Sequence, residues 1–171
     1  MENTELAYIA GIVDGEGSIA ISRARRGGHT TYFVSVSVSN TVHWLLEWLK
    51  FNFGGCIVQL KKPPQQKEAW EWKLSRGPGM RFVKAILPYL LLKKAQADLA
   101  IKFQERKGPP GPKTDEEKAL EEADWVLMHS YNKRGRPNGQ GNPVASSGEY
   151  PETALETIHG APLGGDEIVQ P

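Results

Sequence analysis

Two carboxylates, Asp14 and Glu16, stand two residues apart among glycines in the run Asp14-Gly15-Glu16-Gly17. Hard divalent cations take oxygen ligands, so such a pair can hold one. The preceding residues, Leu6 to Val13, are mostly apolar and read as a helix, which puts the acids at its C-terminal end. That end carries partial negative charge and disfavours anions. Acids placed there call for a counter-charge, and a divalent cation is the natural one. Ala7, Gly11 and Gly15 recur every four residues and make a ridge of small residues along one helix face. Such a ridge lets two helix backbones approach closely. Packed on a copy of itself about a twofold axis, it would bring two acid pairs together as a metal site between subunits. The plain alternative for these four residues is a glycine-rich turn with exposed acids.

Little else in the chain competes for chemistry. Cys56 is the single cysteine, which excludes an internal disulfide framework and a zinc cage of several cysteines. Histidines 29, 43, 129 and 159 have no ligand spacing and read as surface or cap residues. No Ser-His-Asp arrangement stands out. Charge is informative: the net +1 hides a basic middle, residues 19–107, with sixteen Lys and Arg against five acids. The segments 1–18 and 138–171 carry acids only. A basic middle suits a polyanion partner, and a solvated lysine-rich surface is the bland reading.

The elements that must position these residues follow from periodicity. Thr4 to Asp14 is the first helix, capped by Asn3 or Thr4 and stopped by the glycines at 15 and 17. Ser18–Arg26 and Thr30–Ser39 alternate, with Ile19, Ile21, Val34, Val36 and Val38 on one face; Gly27-Gly28 joins them as a hairpin. Thr41–Phe53 repeats apolar residues every three or four positions, an amphipathic helix. Residues 56–62 and 68–76 make a second strand pair around Pro63-Pro64-Gln65-Gln66. Helices follow over 80–87, from after Pro88 to about 107, and over 115–132. The reading is α+β, with a four-stranded antiparallel sheet carrying helices on one face. With 171 residues and 39% apolar content the chain suits one domain, 1–137, and an appendage. That appendage, 138–171, is Gly/Pro-rich and acidic, and the expectation is a mostly disordered or loosely docked tail.

The segment Ile9-Ala10-Gly11-Ile12-Val13-Asp14-Gly15-Glu16-Gly17 resembles the signature helix of the LAGLIDADG homing endonucleases. The helix–strand–strand order matches that family's core repeat, and the resemblance spans about residues 5–132. It is nearest to the single-motif members, which act as homodimers, among them group I intron-encoded endonucleases. The resemblance implies an αββαββα fold with a saddle-shaped sheet. It also implies roles: Glu16 at the last acidic position binds divalent metals, although the family more often has Asp there, and Gly15 lends a backbone carbonyl. Asp14 supports the helix end. The stretch Pro88-Tyr89-Leu90-Leu91-Leu92-Lys93-Lys94-Ala95-Gln96 matches one in which Pro and Gln flank a lysine near the scissile phosphate. Lys93 aligns with that lysine, with Lys94 adjacent. Asn40 sits where the family often has a water-positioning Gln. Four residues on, Trp44 replaces a frequent Arg, and His43 beside it is the candidate substitute.

On this reading the function is site-specific hydrolysis of both strands of a long, pseudo-palindromic DNA. The resemblance adds cutting across the minor groove with 3′ overhangs, and Mg²⁺ or Mn²⁺ as the active ion, with Ca²⁺ as a non-catalytic substitute. No side-chain nucleophile is needed, because metal-activated water and a nearby lysine supply the chemistry. The polar sheet face becomes the DNA-reading surface, since an antiparallel ribbon fits the major groove. Candidate contacts are Ser22, Ser35, Ser37, Gln59, Lys61, Glu71 and Lys73. Arg23, Arg25 and Arg26 at the hairpin tip are candidates for the DNA backbone or the outer bases, and Lys133, Arg134 and Arg136 after the last helix for phosphate. The other class of function open to the same fold is a non-cleaving RNA maturase, with intron RNA as partner, or a DNA-binding regulator. A reducing intracellular setting and no membrane partner complete the expectations.

Overall fold

The computed structural model describes residues 2–108 and 111–133. The expected boundary near 137 and the tail beyond it lie outside the described residues. The elements are α1 (Asn3–Glu16), β1 (Gly17–Arg26), β2 (His29–Asn40), α2 (His43–Phe53), β3 (Cys56–Gln59), β4 (Trp70–Ser75), α3 (Arg76–Ile86), a 3-10 turn (Leu87–Tyr89), α4 (Lys94–Arg106) and α5 (Asp115–Tyr131). The four strands form one antiparallel sheet in the order β1-β2-β4-β3.

Period-two alternation sets the layers. Ile19 and Ile21 of β1, Tyr32, Val34, Val36 and Val38 of β2, and Trp72 and Leu74 of β4 are buried under the helices. The register pairs Ile19 with Val36, and Val38 with Trp72, so these side chains share one face. The core they share with Leu46, Leu49, Phe82, Val83, Ile86, Ala97, Ala100 and Phe103 is continuous. Edge-on aromatic contacts tie it together, Phe53 to Phe82 at 4.8 Å and Trp72 to Phe82 at 5.2 Å between ring centroids.

Several boundaries differ from the sequence reading. The first helix is capped by neither Asn3 nor Thr4. Glu2 and Glu5 form a reciprocal capping box instead, a carboxylate doing what a hydroxyl usually does. The helix also runs through Gly15 to Glu16 and turns extended only at Gly17. α3 starts four residues earlier than expected, because Pro78 falls in the first turn, where a missing N–H costs nothing. α4 begins at Lys94 rather than directly after Pro88, because residues 90–93 are pinned elsewhere, as described below. β3 is shorter than expected, and its register is set by Gly54 and Gly55, both left-handed (φ 79° and 89°). A Cβ at Gly55 would lie 2.3 Å from the Lys73 carbonyl, so the chain crosses against β4 there. The Trp72 indole N–H donates to the Gly54 carbonyl at 2.8 Å and fixes the crossing.

Candidate active site

α1 leads into β1 at one end of the sheet, and its last turn carries Asp14 and Glu16. The Lys93 side chain, 79 residues away in sequence, meets it there. The Asp14 carboxylate accepts backbone N–H bonds from Leu91 (2.8 Å), Leu92 (3.2 Å) and Lys93 (2.9 Å). One acid therefore satisfies the donors just ahead of α4, which explains why residues 90–93 do not continue as helix. The Lys93 ammonium donates to the Asp14 carbonyl. Lys93 is half-buried, whereas Lys94 beside it is exposed, so Lys93 is the lysine held at this point. Burial pushes its pKa below the usual 10.5, and the Asp14 and Glu16 carboxylates pull it partly back up. Glu16 is exposed and makes no hydrogen bond or ion pair with a described residue.

The sequence forces this geometry locally. Gly17 donates its N–H to the Val13 carbonyl and ends the helix. A Cβ at Gly17 would fall 2.8 Å from both the Val13 Cα and its carbonyl oxygen, so only glycine allows β1 to leave the helix so tightly. Gly15 and Glu16 are thereby left pointing outward at the corner. Along the same helix, Ala7, Gly11 and Gly15 are exposed, and a Cβ on Gly11 or Gly15 would meet nothing within 4 Å. The small-residue ridge is uncovered in the single chain, while the opposite face, Ile9, Ala10 and Val13, is buried.

Could this corner hold a divalent ion? The donors are hard oxygens, the Glu16 carboxylate and the Gly15 carbonyl, and the type fits Mg²⁺ or Ca²⁺. Asp14 is already committed to three amides. No group of three or more His, Cys, Asp and Glu that could hold a metal occurs among the described residues. One chain therefore supplies part of a ligand set. The fit is to an ion that is completed by further ligands from outside the chain.

The sheet face away from the helices carries Ser22, Ser35, Ser37, Glu71 and Lys73, as expected from alternation. Two internal pairs occupy it: Ser22 Oγ lies 2.6 Å from Ser35 Oγ, and Lys73 is 2.7 Å from Glu71. Four expected contacts fall elsewhere. Gln59 pairs with Trp70, on the helix side, while Cys56 and Val58 take the outer face opposite Lys73 and Glu71. The two left-handed glycines shift the register by one, which inverts the faces. Lys61 lies past the end of β3. Arg23 and Arg25 share the parity of Ile19 and Ile21, and the Arg23 guanidinium stacks 4.2 Å over the Trp125 ring on the helix side. That parity was visible in the sequence. Asn40 lies at the site end of the sheet, where Gly17 pairs with Val38. Its Oδ1 accepts from the Val42 N–H at 2.9 Å, in the turn ahead of α2. His43 sits 3.5 Å from Glu47 and edge-on to Trp70 at 4.9 Å, on the helix side as well. Lys133 follows α5, next to Asn132, whose amide donates to the Ile19 carbonyl at 2.8 Å. Arg134 and Arg136 lie outside the described residues, as does the Arg26 side chain.

No family model and no curated protein matches this chain. Solved structures do. Homing endonuclease I-CvuI, in complex with its target in the presence of Ca, is 22% identical, with a TM-score of 0.64 over 80% of this chain and 87% of that one. The same enzyme was also solved with the I-CreI target and Mg, with the DNA not cleaved. The archaeal intron-encoded homing endonuclease I-Vdi141I, complexed with DNA, is 15% identical, with a TM-score of 0.66 over 83% and 92% of the two chains. The chain has the LAGLIDADG homing-endonuclease fold. A third member of that fold, I-SmaMI bound to cleaved DNA, matches at a TM-score of 0.53 and 15% identity, over 96% of this chain but 51% of its own. Within the LAGLIDADG fold, α1 is the motif helix, and the corner of Asp14, Glu16 and Lys93 stands at its end.

Proposed function

We propose that the protein is a site-specific, divalent-metal-dependent DNA endonuclease that hydrolyses both strands of a long pseudo-palindromic target as a homodimer. The observation that carries this reading is the corner itself. A free carboxylate, a carbonyl and a half-buried ammonium converge at the end of a helix whose small-residue face is uncovered. One chain gives too few ligands for an ion, so the site calls for a second copy of α1 and for DNA phosphate oxygens. A twofold axis along Ala7, Gly11 and Gly15 would bring both in. The match to about half of I-SmaMI agrees with a unit that works in pairs.

Divalent ions bound there would polarise the phosphate, activate water and neutralise the leaving oxygen. The chain's own residues divide the remaining work. Glu16 and the Gly15 carbonyl would hold the ion. Asp14 fixes the approach of residues 91–93, and so holds Lys93 against the corner. The Lys93 ammonium adds positive charge where the phosphorane charge develops. The outer sheet face lies in the major groove and positions the scissile phosphates. Cutting across the minor groove with 3′ overhangs, intron homing as the biological setting, and Mg²⁺ or Mn²⁺ as the active ion with Ca²⁺ non-catalytic, belong to the same proposal.

The test is cleavage of a randomised DNA library in Mg²⁺, with Glu16→Gln beside the wild type and the cut ends sequenced. The expected result is a two-fold-symmetric motif cut only by the wild type. Selective retention of DNA without any cut would sink the endonuclease and leave a regulator. Selective retention of intron RNA alone would point to a maturase.

A further inference from the structure

We propose that Arg76 reads a guanine in the major groove, from an aromatic perch on the outer sheet face. This rests on the endonuclease reading and goes beyond it, because it assigns specificity to a residue about midway along the β1–β2 ladder, away from the catalytic corner. Phe33 alternates with the buried Tyr32 and Val34 and pairs with Ser22, so its ring lies on the outer face. Ser75, the last residue of β4, pairs with Ser35 on that same face. Arg76 follows directly, and its guanidinium carbon lies 4.7 Å from the centroid of the Phe33 ring. The cation is thus held over the surface that would meet DNA.

Three features make this more than a covered phenylalanine. First, Lys73 and Glu71 on the face are paired with each other, whereas Arg76 has no hydrogen bond or ion pair with a described residue. Its five N–H donors are available in the planar fork that matches guanine O6 and N7. Second, Arg76 is the one non-glycine residue among those described with a positive φ, 60°. The next residue is glycine, so a left-handed turn could have been built without this cost. Strain of this kind persists where a side chain is needed. Third, a cation beginning α3 faces the positive end of that helix and has no acid in the first turn to offset it. Its charge also helps to hold the Lys107 pKa down, after the larger effect of burial. The charge is unfavourable for the free fold and suited to an electron-rich partner.

The experiment selects bound DNA from a randomised library in Ca²⁺ with three full-length proteins: wild type, Arg76→Gln and Arg76→Gly. The wild type is expected to show guanine at one symmetric pair of positions. Arg76→Gln should move that preference to adenine, which glutamine pairs with. Arg76→Gly should lose it, between about fivefold and a hundredfold in discrimination, the range of one bidentate contact. Arg76→Gly should also melt no lower than the wild type, because glycine accepts the φ. A lower melting temperature with an unchanged motif would make Arg76 a structural cover for Phe33 and overturn the inference. An unchanged motif with uniformly weaker binding would make it a phosphate contact and do the same. A wild type that selects no motif at all would remove the endonuclease reading itself, a different failure from either.

Discussion

The catalytic corner and the middle of the sheet hold their charges in opposite ways. At the α1 end a carboxylate is spent on backbone amides, and an ammonium leans on a carbonyl. Midway along the β1–β2 ladder guanidinium groups lie on aromatic rings, Arg23 on Trp125 and Arg76 on Phe33. Hydrogen bonds fix an atom to a fraction of an ångström, which reaction chemistry needs. An aromatic face holds a cation by its quadrupole and leaves the N–H donors free. The first arrangement suits catalysis, while the second suits recognition on the outer face and packing on the inner one.

This contrast can be broken by substitution. Glu16→Gln should lower the cleavage rate on the order of 10³-fold or more, roughly 4 kcal/mol of transition-state stabilisation, with DNA binding kept; filter binding beside single-turnover cleavage checks it. If binding falls as far as the rate, Glu16 is not acting at the reacting phosphate. Lys93→Met should cost about 10²-fold in rate. It also tests the buried charge without metal. The folded-state pKa of Lys93 lies below 10.5, so its penalty is complete below that folded value and fades as pH climbs toward 10.5. Wild-type stability should therefore gain over that alkaline window from this residue, and Lys93→Met should lose that part of the gain in denaturant titrations.

Asp14→Ala leaves three amides without their acceptor and should lower stability by about 2–3 kcal/mol, with a matching drop in melting temperature. An unchanged melting curve would mean that the segment 91–93 is held by something else. Away from the corner Arg23→Ala should cost about 0.5–1 kcal/mol of stability and leave the selected DNA motif as it was. A changed motif would return Arg23 to the reading surface.

The fold was largely legible because its signals are periodic. Alternation at 19–21 and 34–38 and the apolar repeat of α2 need no long-range information. The corner was legible for a different reason: Asp14, Gly15 and Glu16 are contiguous, and Lys93 sits in a recognisable stretch. Neighbouring Lys94 could be set aside only once the Asp14 bonds were visible. The placement of Gln59 was hidden, because two left-handed glycines decide the register of β3, and spacing does not report φ. Arg76 was hidden too, since Gly77-Pro78-Gly79 reads as a loop and masks the start of α3. The place of Arg23 on the helix side had a visible cue, its parity with Ile19 and Ile21.

The central claim is that one chain holds half of a site. The most direct measurement is the protein mass of the Glu16→Gln protein on the selected duplex by light scattering. The account predicts two chains per duplex, near twice 18.9 kDa. One chain per duplex, with the wild type cutting both strands of that DNA, would contradict it.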